Sequence, residues 1–154
     1  IRNIDQIPCV SISKANLEEF FNRFSAKSGN IDVVVFSAPQ LSIFELNSLA
    51  DLLEGNSVHE DTTLLAVTSP QVGHEAERLG IKRRIEIAGG LVLQGMCFYQ
   101  SYAREMAEAN GWKTLMTNSA KLANIIGGYG YQPYLASMTD CVKSALSGRI
   151  NRGN

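Results

Sequence analysis

Apolar and polar positions alternate along the chain in two textures. Continuous apolar runs, "IDVVVFSA" (31–38), "TTLLAVTS" (62–69) and "LVLQGMC" (91–97), read as strands buried on both faces, the habit of a parallel sheet. "WKTLMT" (112–117) makes a fourth strand and "IPCVSI" (7–12) a short one. "YQPYLAS" (131–137) reads as an edge strand, because Pro133 has no N–H for a second neighbour. Between the runs the apolar residues recur with helical spacing. "SKANLEEFFNRFSAKSG" sets Leu17, Phe20, Phe21 and Phe24 on one face, with Ser13 as cap and Gly29 as close. "LSIFELNSLADLLEG" opens on a capping box of Ser42 and Glu45 and closes at Gly55. "SPQVGHEAERLG" starts a helix with Ser69 as cap and Pro70 in the first helical position. "SYAREMAEANG" ends at Gly111, "SAKLANIIGG" is a short helix, and "MTDCVKSALSG" is a last helix capped by Thr139.

Strand and helix alternate throughout. This order predicts an α/β domain with three layers, a mainly parallel sheet between helices on both faces. The prediction is one domain over residues 1–150 and a frayed tail at 151–154. "VVVFSAPQLS" and "LLAVTSPQVG" echo each other as strand, hydroxyl residue, Pro-Gln, helix.

In an open parallel sheet, ligands bind outside the carboxyl ends of the strands. Four polar segments belong to that edge: 37–42, 68–71, 95–97 and 117–121. They share a cleft if the strands carrying them are neighbours. The densest segment is "TNSAK", with Thr117, Asn118, Ser119 and Lys121 at one strand-to-helix junction. Ser119 is a good helix cap. Lys121 places a positive charge near a helix N-terminus, where the dipole disfavours it unless an anion compensates. Two readings stay open on local physics: a capped helix with a solvated Lys, or a site for a carboxylate or phosphate.

Composition narrows the classes. Of 154 residues, 45% are hydrophobic and 19% charged, enough for one packed core. The net charge is −1 with scattered Lys and Arg, which argues against nucleic acid as a partner. No apolar stretch approaches the roughly 20 residues of a membrane span, so no membrane partner is expected. The chain begins without Met and reads as a fragment or a processed product. Three widely spaced cysteines, Cys9, Cys97 and Cys141, form no CxxC pair, and the expected setting is reducing and cytoplasmic. Cys97 ends a strand. Cys141 lies in the first turn of a helix, where the dipole lowers a thiol pKa. Each read alone is a small buried hydrophobe. His74 reads as solvated or capping, Glu86 as a partner of Arg83 or Arg84, and Met96, Phe98 and Tyr99 as packing.

The ordered set "VVVFSAPQLSIFELNSLADLLEG", "IEIAGGLVLQGMC", "MTNSAKLANIIGG" and "DCVKSALSG" resembles the large-subunit part of aconitase X, from about residue 7 to 150. The resemblance implies an aconitase-type fold and an iron–sulfur hydro-lyase acting on a small hydroxy acid such as cis-3-hydroxy-L-proline or mevalonate 5-phosphate. It implies Cys97 and Cys141 as cluster ligands. It implies Thr117, Asn118, Ser119 and Lys121 as substrate-site residues, with Ser119 and Lys121 catalytic; the place of segment 37–42 at the same edge adds Ser37 and Gln40 as substrate-binding residues. The cluster iron would act as Lewis acid, and Lys121 with the Ser119 helix end would neutralise the substrate anion. It also implies missing partners, the remaining domains or a small subunit that complete both cluster and cleft. Two departures bear on substrate and activity. Ser37-Ala38-Pro39-Gln40 stands where many members have Gly-Cys-Pro-His, and Gly95-Met96 where many have Asp-Thr before the strand-end cysteine. An alternative from another class is a non-catalytic anion-binding or assembly domain with structural cysteines. A Cys97 hydrolase is the weakest reading, because neither His59 nor His74 follows a strand end to serve as base.

Overall fold

A computed structural model describes residues 7–24 and 29–151. Five strands, β1 Val33–Leu41, β2 Thr63–Thr68, β3 Gly90–Gln94, β4 Thr114–Thr117 and β5 Gln132–Leu135, form one sheet in the order β3-β2-β1-β4-β5. Every pairing is parallel, as the apolar runs predict. β1 is the centre: Val34 sits between Leu64 of β2 and Met116 of β4. Pro133 lies in β5, at the edge.

The helices are α1 Lys14–Arg23, α2 Ile43–Leu53, α3 Pro70–Arg78, α4 Ile81–Ile87, α5 Ala103–Asn110, α6 Ala120–Ile126 and α7 Met138–Ser147. Alternation along β1 separates two cores. Val34 and Phe36 join Leu46 and Leu49 of α2, Ile85 of α4 and Val142 of α7. Val33 and Val35 join Ala103 and Ala107 of α5 and Leu122 and Ile126 of α6 on the other face. The result is the expected three-layer αβα arrangement, with all these side chains sealed from solvent. α4 lies close on the sheet at Gly90, where a Cβ would come within 2.8 Å of Ile85 Cγ2 and 3.0 Å of Leu64 Cδ2. At the amino edge, the Asp32 carboxylate accepts from the backbone N–H groups of Lys113 and Thr114, both at 2.7 Å, and from the Thr114 hydroxyl at 2.8 Å. It thereby fixes the start of β4 beside β1.

Local chemistry sets most helix starts. Ser13, Ser42, Ser69 and Ser119 each cap their helix by accepting from the backbone N–H three residues on. Several expectations differ from the structure. Residues 7–12 form no strand and are exposed, because no neighbouring strand reaches them. α1 ends at Arg23, short of Gly29, and residues 25–28 lie outside the described part. α4 is an additional helix. It has seven residues, with Ile81 and Ile85 turned inward, too few for a periodic signal. The cap of α7 is Ser137, not Thr139, because the chain turns into the helix two residues earlier. Of the expected tail, Asn151 is tied to α7, its N–H donating to Ser144 Oγ at 2.8 Å and its Nδ2 to Ser147 Oγ at 2.6 Å; residues 152–154 are outside the described part.

Candidate functional site

The strand order brings the four polar segments together. They lie at the carboxyl ends of β3, β2, β1 and β4, which are consecutive in the sheet. The chain leaves β1 for α2 on one face and leaves β4 for α6 on the other. The gap between the ends of β1 and β4 is therefore the topological switch point, where open α/β sheets take their ligands.

A row of hydrogen bonds stitches this edge. The Thr68 hydroxyl donates to the Leu41 carbonyl at 2.6 Å, and the Gly95 N–H donates to the Thr68 carbonyl at 2.9 Å. Gln40 Nε2 reaches the carbonyl of Met96 at 2.9 Å, joining SAPQ to the loop that carries Cys97. Across the switch point, Ser119 Oγ donates to the Ala38 carbonyl at 2.5 Å and accepts from the Leu122 N–H at 3.1 Å. Thr117 Oγ1 accepts from the Ser119 N–H at 3.1 Å. The Ala136 N–H closes the row on the Thr117 carbonyl at 3.1 Å.

Within this frame the expected residues separate by what they can still do. Thr117 and Ser119 are buried and hydrogen-bonded within the junction. A serine hydroxyl carries one hydrogen, and that of Ser119 is committed to Ala38, so Ser119 shapes the junction. Asn118 and Lys121 are exposed. Lys121 Nζ lies over the Tyr99 ring, 5.6 Å from its centroid, in a cation–π contact. Tyr99 was expected only to pack. Nothing in the sequence marks it, since the contact joins the first turn of α6 to the 3₁₀ turn Phe98–Gln100, 22 positions apart. Ser37 is 2% exposed, and among the described residues its Oγ is the buried side-chain oxygen or nitrogen with no hydrogen-bond partner. Buried polar groups are otherwise almost always paired. Ala38 has a left-handed backbone, φ 58°, and a cis bond to Pro39, whereas Pro70 in the echoing segment opens α3.

The cysteines part company. Cys97 is half-exposed at the carboxyl edge, ahead of a 3₁₀ turn Phe98–Gln100. Cys141 is wholly buried in the core shared with Phe36 and Val142. Burial pushes its thiol far up, with the Asp140 charge adding to the rise, which reverses the lowered pKa expected from its place in a helix first turn. A cluster ligand must reach the cluster, and Cys141, with no exposed surface, has no access to one in this structure. Cys97 follows β3, at one edge of the sheet, whereas Cys141 lies in α7, which follows β5 at the other edge. Among the described residues no three of His, Cys, Asp or Glu converge to hold a metal. Cys97 and Cys141 as a pair do not fit an iron–sulfur cluster in this structure; of the two, Cys97 has the exposure to reach a group outside the chain. No helix among the described residues is long and apolar enough to cross a membrane.

Comparison with known proteins agrees with this architecture. Residues 31–147 match the aconitase X third domain. The chain is 33% identical over 130 residues to a cis-3-hydroxy-L-proline dehydratase of Pseudomonas aeruginosa, covering 84% of this chain and 22% of that protein. It is 28% identical over 119 residues to the phosphomevalonate dehydratase large subunit of Methanocaldococcus jannaschii, covering 77% of this chain and 28% of that one. The crystal structure of Thermococcus kodakaraensis aconitase X in its holo-form superposes with a TM-score of 0.77 at 23% identity, over 88% of this chain and 34% of that chain. The chain thus spans about a quarter of the length of these curated relatives. With the match covering both the sheet and the polar carboxyl edge, this chain belongs to the aconitase X family, over the region of that family's third domain.

Proposed function

We propose that this chain forms one wall of the active-site cleft of an aconitase X-type dehydratase, an enzyme that removes water from a small hydroxy acid. The observation that carries the reading is the unpartnered Ser37 hydroxyl, buried at the switch point between β1 and β4. A buried hydroxyl without a partner is destabilising by about 1–3 kcal/mol, and a bound polar ligand or water relieves it. The relatives named above are dehydratases of cis-3-hydroxy-L-proline and phosphomevalonate. Both compounds carry a carboxylate.

In this reading Lys121 and Asn118 face the substrate anion from the exposed side of the junction, and Ser37 receives a polar group of the substrate. Gln40 and Ser119 act as positioning residues. Gln40 holds the Cys97 loop through Met96, and Ser119 holds β4 against Ala38. Cys97 is this chain's one contribution to a metal centre, whose other ligands come from the rest of the enzyme. The base that takes the substrate proton comes from there too, and the assembled enzyme works in the cytoplasm.

The experiment is steady-state kinetics of the full-length enzyme with cis-3-hydroxy-L-proline and mevalonate 5-phosphate. Lys121→Met is expected to raise KM about tenfold, ~1.4 kcal/mol, with its thermal midpoint unchanged. An unchanged KM for the turned-over substrate removes Lys121 from the site. Failure of the full-length enzyme to dehydrate either compound removes these two substrates.

A further inference from the structure

Residues 7–24 are the part of the described chain that makes no core. Ile7, Val10, Ile12, Leu17 and Phe21 are 52%, 84%, 72%, 52% and 45% exposed. α1 has no buried residue, and among the described residues no other helix or strand packs extensively along it. Yet it is a built helix. Ser13 and Asn16 form a reciprocal capping box, Lys14 and Glu18 pair at 3.6 Å, and Arg23 covers the rings of Phe20 and Phe24. Its end is held to the sheet by the Leu135 N–H, which donates to the Phe24 carbonyl at 3.1 Å.

The residues before α1 repeat the mismatch. "IPCVSI" has the composition of a strand but no strand beside it here. An isolated helix of ten residues is marginal in water, and most helical stability comes from burying the apolar face. An apolar stripe rimmed by Lys14, Glu18, Glu19 and Arg23 has the make-up of a docking surface, apolar at the centre and charged around it.

We infer that residues 7–24 are a docking arm whose apolar side is covered by the rest of the same dehydratase. The occupant follows from the share of the enzyme lying outside this chain. The chain makes up only 22% and 28% of the lengths of the two relatives, so most of a dehydratase of this family remains to face it. The inference rests on the chain being part of such an enzyme, and its test separates the two.

The test is hydrogen–deuterium exchange of the full-length enzyme at two concentrations, with the Leu17→Glu/Phe21→Glu variant beside it. The amides of residues 17–23 are expected to exchange about 100-fold slower than those of an exposed helix, equally at both concentrations. In the variant that protection is lost, while the β1 and β2 amides keep theirs. Rapid exchange of residues 17–23 in the wild type overturns the arm. Protection that grows with concentration overturns the occupant, because it marks a second copy of the chain. A protein that protects the arm but dehydrates neither substrate retains the docking and loses the enzymatic reading.

Discussion

Ser119 reaches a residue 81 positions away in sequence, its hydroxyl donating to the Ala38 carbonyl while capping α6 through the Leu122 N–H. One side chain thus sets where the helix begins and how far β1 and β4 stand apart at the switch point. A serine in that position reads locally as an ordinary cap. Its second bond makes it part of the site's frame.

Ser119→Ala is therefore expected to cost more than a cap. Losing an N-cap is destabilising by about 1 kcal/mol, and leaving the Ala38 carbonyl unpaired adds about 1–2 kcal/mol. Ser42 of α2 supplies the control, since its bonds are confined to its own capping box. Urea unfolding of both alanine variants should place Ser119→Ala below Ser42→Ala by about 1–2 kcal/mol. Equal losses show that the Ala38 bond contributes nothing net.

Ser37→Ala should behave in the opposite way. Its hydroxyl is buried without a partner, so removing it relieves a desolvation penalty and leaves stability unchanged or up to about 1 kcal/mol higher. In the full-length enzyme the same change should weaken substrate binding. A variant that is clearly less stable shows that the hydroxyl has a partner in solution, and a variant with unaltered substrate binding removes Ser37 from the site.

Asp32 predicts an acid-side dependence. Partial burial by itself raises its carboxyl, but the Thr114 and Lys113 N–H groups, the Thr114 hydroxyl and the Lys113 charge outweigh that and hold its pKa below the usual value. A carboxyl depressed in the folded state stabilises fully above its unfolded pKa of about 3.9, and the contribution fades as pH falls through the lower folded value. The Asp32→Ala variant should unfold at lower urea than wild type at pH 7. That difference should shrink as pH falls below about 4, and a gap that stays constant down to pH 2 sinks the assignment.

The cysteines should label in order of exposure. Under native conditions Cys9 and then Cys97 react with iodoacetamide, and Cys141 reacts at least about 100-fold more slowly, because its thiol is buried and stays protonated. In the full-length enzyme, Cys141→Ala should leave the iron content of purified protein unaltered, and Cys97→Ala should lower it. Loss of iron on the Cys141 change restores that residue as a ligand and overturns its exclusion.

The features legible along the chain were local ones. The apolar runs gave the strands, and the caps at Ser13, Ser42, Ser69 and Ser119 gave the helix starts, because a cap bonds an N–H three residues on. The alternation of runs and helices gave the parallel three-layer fold, and the ordered motifs gave the family. The segment 7–12 shows where that reading stops: it has a strand's composition, but a strand exists only where another strand pairs with it. Tertiary structure alone decided that β1 is central, so that SAPQ and TNSAK meet. It placed Lys121 on Tyr99, buried Cys141, and left Ser37 without a partner and α1 without a core. All of these depend on contacts between residues far apart in the chain, where burial and pairing follow from strand order, which periodicity does not encode.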